Sequence, residues 1–133
     1  MSWPVPGVIC RLAKNVEFKP MESMPGGSLK ILRENPATGI IKLSAKAVEP
    51  SNHHTFGHEI VIMSGRIMLW NLSTKQEFEL ERGVFLFTPA GNVHRVKDLE
   101  DSEVFVRREG EKDIFMDEDL ETAKRETSKV SSA

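Results

Sequence analysis

The sequence predicts an all-β fold in which antiparallel strands form a sandwich or a small barrel. Short segments of alternating apolar and polar residues recur from residue 28 to residue 107, and turn-forming residues interrupt them every eight to twelve residues. That spacing is typical of antiparallel sheets and does not fit alternating strands and helices. The 133 residues are 39% hydrophobic, which suffices for one compact core. We therefore expect a single domain over residues 1–133, with an N-terminal arm at 1–15 and a C-terminal tail at 117–133.

The elements follow from local patterns along the chain. Residues 8–12 are expected to form a short edge strand, and a second short strand is expected around residues 16–18. Residues 28–33 and 40–48 alternate between apolar and polar side chains, which predicts two strands joined by a turn at 35–39. Only residues 117–129 have the composition of a helix, so the tail is predicted to be either a short packed helix or a frayed terminus.

The composition also limits the function. The net charge is -2 with both signs interspersed, so we expect no direct contact with nucleic acid. Cys10 is the only cysteine, which rules out an internal disulfide and favours a reducing compartment. The apolar runs are too short to span a membrane, and residues 1–4 lack the features of a signal peptide. The expected location is the cytoplasm or another intracellular compartment.

The segment from residue 52 to residue 59 carries three of the four histidines. Side chains alternate across a strand, so Asn52, His54 and His58 share one face if no bulge intervenes. The same alternation directs His53 and Glu59 to the opposite face. A bulge near glycine 57 is the alternative, because it would turn Glu59 inward and add a carboxylate to the site.

The fourth histidine, His94, follows the turn at residues 89–91 on a different strand. A barrel interior can bring it opposite His54 and His58. Three imidazoles suit zinc, iron, copper or nickel and leave one side open for water or substrate. Asn52 is either a weak oxygen ligand or a hydrogen-bond partner of a metal-bound water. The competing interpretation is that these histidines are ordinary core residues.

Two segments resemble the signature motifs of the cupin superfamily. The fixed positions of the second motif are occupied by Gly83, Pro89, Gly91 and His94, and Asp98 stands at its last position, where asparagine is usual. In the first motif Gly65 fits, and counting back places His58 at the usual acidic position, His54 at the second histidine and Asn52 at the first. The first motif therefore departs from the family pattern, and the second is specific.

The resemblance implies a cupin-type antiparallel β-barrel, a double-stranded jelly roll, with a short helical tail. It implies one divalent metal ion, with His54 and His94 as ligands of the usual type and His58 as a ligand of changed type. A cupin that has lost its metal is the alternative. Phe56, Met63 and Phe87 are expected to line an apolar pocket beside the metal, with core packing as their other role.

The resemblance also bears on the reaction. The chain contains no tyrosine, so cupins that use a tyrosine as acid or base are poor models. The displaced glutamate disfavours cupins that depend on it, such as oxalate-type decarboxylases. What remains resembles the three-histidine dioxygenases, which cleave β-diketones or oxidise thiols. This predicts a non-haem Fe(II) dioxygenase, or a related metalloenzyme, that acts on a small chelating substrate, with Fe(II) favoured over Zn, Ni, Cu or Mn.

A second resemblance points to a different class of protein. Residues 89–92 and 96–99, with Thr38 and Gly39 opening an earlier strand, also resemble the dimerising cupin of centromere protein C. This implies a non-enzymatic homodimeric cupin that serves as a dimerisation and protein- or ligand-binding module, although such domains generally lack the histidines. A homodimer is expected in either case, because the arm around residues 8–12 could extend a neighbour's sheet.

Overall fold

A computed structural model describes residues 7–110 and 113–128. Residues 1–6 of the predicted arm and residues 129–133 of the predicted tail lie outside the described residues. The regular elements are β1 Lys19–Pro20, β2 Gly27–Glu34, β3 Ala37–Leu43, β4 Val48–His53, β5 His58–Asn71, β6 Gln76–Glu81, β7 Phe85–Thr88, β8 His94–Arg108, β9 Phe115–Met116 and α1 Leu120–Thr127. A short 3-10 turn covers Ala13–Asn15.

The strands form one antiparallel sheet that curls into a half-barrel. Its main path runs β1-β2-β3-β8-β4-β9, and β5 pairs with β6, β7 and β8. The two longest strands, β5 and β8, pair with each other over most of their lengths. Strand β8 also pairs with β3 and β4, so it connects the two halves of the barrel. The predicted all-β antiparallel architecture is confirmed.

The core lies on the concave side of the curled sheet. Its buried apolar side chains come from the β1–β2 loop and from strands β3, β5, β6 and β8, with one more from the β3–β4 turn; they are Met24, Leu43, Ala47, Ile62, Ile67, Leu69, Leu80 and Val104. Burial of apolar side chains stabilises the fold by roughly 25 cal/mol for each Å² removed from water. Partly buried neighbours such as Ile41, Ile60 and Val96 extend this core toward the open end of the barrel.

Gly65 lies where β5 and β8 approach each other most closely. Its φ is +87°, and a Cβ atom there would lie 2.0 Å from Ser102 Oγ and 2.5 Å from the Asp101 carbonyl oxygen. Only glycine fits that backbone conformation and that space. The Ser102 hydroxyl donates to Asp98 Oδ1 at 2.7 Å and accepts from the Arg66 backbone N–H at 3.1 Å. Gly65 and Asp98, one from each predicted motif, are therefore joined through Ser102.

Three strand predictions require correction. Residues 8–12 form no strand, because no described strand pairs with them; Val8, Ile9 and Leu12 remain about half exposed. The strand expected around residues 16–18 begins at Lys19. The strand predicted for residues 40–48 ends at Leu43, since Lys46 adopts a φ of 73° in a turn that leads into β4.

The predicted C-terminal helix is present as α1, over Leu120–Thr127. Asp119 caps it by accepting a hydrogen bond from the Thr122 backbone N–H at 2.7 Å, which satisfies a donor at the helix start. The buried side chains of the helix are Ala123 and Thr127, and the helix packs against β4. In the part of the chain that the structure describes, no helix has the length and apolarity needed to cross a membrane.

Candidate metal centre

Three histidines converge at the open end of the barrel. His58 and His94 are the first residues of β5 and β8, and His54 lies in the segment just before β5. The ring centroids of His54 and His58 are 5.1 Å apart, those of His58 and His94 are 5.3 Å apart, and those of His54 and His94 are 5.6 Å apart. One ring nitrogen from each lies within 4.8 Å of the other two, so the three side chains could hold a metal ion.

The route by which these residues meet differs from the predicted one. The prediction assumed one continuous strand through residues 52–58, but β4 ends at His53 and β5 begins at His58. The intervening segment turns the His54 ring toward the other two histidines. The exposed His53 ring instead stacks on Phe115 and has Nδ1 2.8 Å from Asp117 Oδ2. His53 therefore lies outside the cluster, as alternation predicted for it.

The bulge alternative for Glu59 is wrong. Strand β5 pairs regularly from His58 to Ile62, and its first register shift comes after Ile62. Glu59 consequently remains on the outer face, where Arg107 Nη1 donates to its Oε1 at 3.1 Å. The carboxylate is unavailable to the histidine cluster.

Burial keeps the three imidazoles neutral. It lowers the pKa of His58 to about 3, with further lowering from the neighbouring His94 and His54. Burial also lowers the pKa of His94 and of His54, although a hydrogen bond to the Asp113 carbonyl opposes the shift at His54. A neutral imidazole has a free nitrogen lone pair, which is the form that binds a metal ion.

The hydrogen bonds made by the three histidines are compatible with binding of a metal ion by their rings. His54 Nδ1–H donates to the Asp113 carbonyl oxygen, which fixes its tautomer and leaves Nε2 free to face the cluster. Nδ1 of His58 is buried and has no hydrogen-bond partner within residues 7–110 and 113–128, whereas a hydrogen bond to the Asn92 backbone acts to raise the pKa of His94. Buried nitrogens without partners are costly in an apolar surrounding, and ligation to an ion offsets such a cost.

Asn52 lies directly behind the histidines. It is fully buried, and it faces His94 across the β4–β8 pair. Its Nδ2 donates to the Pro50 carbonyl oxygen at 2.7 Å, whereas its Oδ1 is buried without a partner in the described part of the chain. Asn52 does not itself line the cavity, so its role as a weak metal ligand stays a prediction.

The cluster forms one wall of a cavity of about 450 Å³. This size is ordinary for a small-molecule site. The remaining walls are mostly apolar and come from the β1–β2 loop and strands β2, β3, β5 and β8; they include Met21, Leu29, Ile31, Ile41, Ile60, Val96 and Val106. The site is thus a largely apolar pocket, partly open to solvent, with the histidines among its polar groups.

Glu49 is the carboxylate that sequence reasoning missed. Its side chain lines the cavity, and its Oε1 lies 3.9 Å from His94 Nε2. Burial raises the pKa of Glu49, against the lowering effect of hydrogen bonds from Ser23 and Asn52. The Ser23 hydroxyl donates to Glu49 Oε2 at 2.9 Å and holds the carboxylate in place. The sequence analysis considered only Glu59 as a carboxylate for this site, whereas the structure places Glu49 there.

Strand β4 is irregular between Glu49 and Asn52, and residues 48–52 are all buried. Strict alternation would place residues 49 and 52 on opposite faces, but the β4–β8 register shifts between them. Pro50 lies within the shifted segment. Proline within a strand is confined to edges and bulges, so Pro50 was the signal that the alternation would fail here.

Arg108 also lines the cavity. Its Cα is paired with that of His58 across β5 and β8, so the two side chains share the inner face. Burial lowers the pKa of Arg108, and the nearby Glu49 opposes that effect. The alternation of buried Val104 and Val106 was the signal that residue 108 continues the inner face.

The predicted pocket residues lie elsewhere. Phe56 is buried and stacks on His54 at a centroid distance of 4.8 Å, so it supports the ligand and does not line the cavity. Met63 and Phe87 are each 43% exposed. They share the outer face of β5 and β7 with Glu59, because Glu59 and Phe87 are paired and Met63 is four residues further along β5. Their assignment to the pocket is corrected accordingly.

Solved structures with the same architecture decide the fold. The chain superposes on the polyketide cyclase RemF from Streptomyces resistomycificus with a TM-score of 0.72, covering 94% of this chain and 96% of that chain at 15% identity. It superposes on a RmlC-like cupin from Shewanella frigidimarina with a TM-score of 0.66, covering 75% and 89% of the two chains at 13% identity.

The chain has the cupin fold. The predicted cupin jelly roll is confirmed by these similarities and by the curled antiparallel sheet with its single short helix. No family model matches the chain.

One curated protein is similar in sequence. The chain is 57% identical over 118 residues to DNA damage-repair/toleration protein DRT102 of Arabidopsis thaliana. The match covers 89% of this chain but 38% of DRT102, so the chain corresponds to less than half of that protein's length.

Proposed function

We propose that this cupin is a metal-dependent enzyme whose cavity binds a small substrate that chelates the metal through oxygen or sulfur atoms. The observation that carries the proposal is the convergence of three neutral imidazoles on an apolar cavity that also holds a carboxylate. His54, His58 and His94 would hold the ion. A divalent ion with three neutral ligands keeps its full charge and open coordination positions, so it polarises a bound carbonyl or enol.

Glu49 is proposed to move the proton in this reaction. Its carboxylate lies at the cavity wall beside His94, and the Ser23 hydrogen bond restricts its orientation. A carboxylate held there can take a proton from a carbon next to a chelated carbonyl and return it to another atom of the same substrate. The apolar walls exclude water from that step. Isomerisation, cyclisation and elimination all belong to this reaction class.

Oxygen-dependent cleavage at Fe(II) is the second candidate. The three-histidine donor set supports it, because the same set without a carboxylate underlies the resemblance to the β-diketone-cleaving and thiol-oxidising cupins. It differs from proton transfer in requiring both Fe(II) and dioxygen.

One experiment separates these candidates. The protein would be loaded anaerobically with Zn(II) or Fe(II), then offered β-diketones, thiols and catechols in D₂O. For the β-diketones, we expect deuterium incorporation at the carbon between the carbonyls to exceed the spontaneous exchange rate with either metal. The protein-dependent part of that rate should fall at least 100-fold in Glu49→Gln with unchanged metal content. The matched control is Glu59→Gln, whose carboxylate faces Arg107 on the outer surface. If only the Fe(II) form consumes oxygen when air is admitted, the dioxygenase is favoured. If neither loaded form consumes oxygen or speeds deuterium incorporation, a binding module is favoured.

A homodimer remains a proposal on different grounds from those in the sequence. The arm at residues 8–12 forms no strand, but the outer face of β5 and β7 exposes Met63, Phe85 and Phe87 at 43%, 57% and 43%. Such a patch is suited to a second copy of the chain. Light scattering should give a dimer mass at micromolar concentration, and Phe85→Asp with Phe87→Asp should give monomer. A monomeric wild-type protein would contradict the proposal.

An intracellular location also remains a proposal, supported by the single free cysteine.

A further inference from the structure

Arg108 is a half-buried cation in the cavity wall whose guanidinium forms no close ion pair among the described residues. Among residues 7–110 and 113–128, no hydrogen bond or ion pair to its guanidinium occurs within the usual distances, although Glu49 is its nearest opposite charge. The adjacent Arg107, on the outer face, pairs with Glu59 at 3.1 Å. Two consecutive arginines thus have opposite environments.

The position of Arg108 joins this cation to the metal centre. The Arg108 Cα is the strand partner of the His58 Cα, and the charge of Arg108 influences the pKa of His54, His58 and Glu49. Its side chain is half-buried in the wall of the same apolar cavity. A half-buried cation without a partner is costly, and an anionic ligand that fills the cavity would offset that cost.

From this arrangement we propose that Arg108 binds an oxyanion of the substrate, so that the substrate class is a small chelating molecule with a carboxylate or phosphate group. The inference rests on the proposed function, because the chelating part of the molecule faces the histidines. The planar guanidinium binds a carboxylate or a phosphate through two parallel hydrogen bonds, and it does so more strongly where water is excluded.

A matched pair of probes tests the inference. 2,4-Pentanedione and 2,4-dioxopentanoate share a β-diketone and differ by a carboxylate. With the Zn(II)-loaded protein, calorimetry should show that 2,4-dioxopentanoate binds at least about tenfold more tightly, in line with a charge-assisted bidentate pair. Arg108→Gln should remove this preference, Arg108→Lys should restore part of it, and Arg107→Gln should leave it unchanged.

A second measurement tests anion binding at Arg108 independently of metal binding. Binding of malonate and of inorganic phosphate to the metal-free protein would be followed by nuclear magnetic resonance, with thermal unfolding to check that each variant is folded. If folded Arg108→Gln loses anion binding and Arg107→Gln retains it, the inference is supported even if the protein binds no metal. Whichever of malonate and phosphate binds more tightly identifies the class of anion. Equal binding of the two diketones by the wild type, or a preference retained in Arg108→Gln, would overturn it. A protein that binds the anions but holds no metal would overturn the proposed function alone.

Discussion

The inner and outer faces of β5 and β8 satisfy their polar groups in opposite ways. On the outer face, Arg107 pairs with Glu59, and Trp70 Nε1 donates to Glu77 at 3.0 Å. On the inner face, the buried His58 Nδ1 has no partner in the described part of the chain. Folding pairs almost all buried polar groups, so an unpaired nitrogen in the wall of a cavity marks a place where a ligand can complete the structure.

The largest expected effect comes from replacing the histidines of the inner face, which should lower the affinity for the metal. Alanine at His54, His58 or His94 should weaken metal binding by on the order of 100-fold or more, since loss of a residue that merely supports a ligand already costs 10–100-fold. His53→Ala should retain the metal, because that ring pairs with Asp117 outside the cavity. Elemental analysis and competition with a chelator measure the difference. Comparable loss in His53→Ala would show that the assigned ligand set is wrong.

A smaller effect is expected at Asp98, a buried carboxyl away from the cavity. Burial raises the pKa of Asp98 from 3.8 to about 7, against the Ser102 hydrogen bond, and its Oδ2 has no partner in the described residues. The folded state therefore holds a proton that the unfolded state releases above pH 3.8. Stability from this group is fully present below that pH and is lost as the pH rises to about 7.

Asp98→Asn cannot titrate and keeps an oxygen for Ser102. We expect this variant to be more stable than the wild type at pH 8 by about 1–3 kcal/mol, the usual cost of a buried polar group without its partner. The gain should shrink toward pH 4. Urea unfolding at both pH values tests this, with the exposed Glu100→Gln as a control that changes little. A gain of equal size at pH 4 and pH 8 would contradict the assignment.

The smallest effect sharpens the contrast between the two arginines. Arg107 is 43% exposed and Glu59 is 30% exposed at the side chain, so their pair should contribute about 0.2–1 kcal/mol in a double-mutant cycle and less at high salt. Arg108→Gln should cost little in the ligand-free protein, because the guanidinium forms no close ion pair among the described residues and only the charge of Glu49 acts favourably on it. A loss of stability in Arg108→Gln greater than in Arg107→Gln would show that Arg108 has a structural partner.

The sequence was sufficient where its pattern followed simple alternation. The regular second motif located His94 and its turn, and Gly65 marked the closest approach of β5 and β8. The same alternation that placed Glu59 outside would also have placed Met63 outside, so that error was avoidable. Glu49 and the path of His54 were not accessible in this way, because a bulge at Pro50 and a break in the strand after His53 reset the alternation. Their positions depend on tertiary pairing with β8.

The pairing of β8 with strands that are distant in the sequence has a consequence for the kinetics of folding. This strand carries His94 at its first residue and Arg108 at its last, and it pairs with strands that begin at Ala37, Val48 and His58. The cavity therefore exists only after segments distant in the sequence have met, which is the slow part of building a β-barrel. A ligand that recognises the finished cavity cannot accelerate that search. Metal and substrate should instead slow the unfolding rate and prolong the lifetime of the closed barrel, leaving the folding rate unchanged.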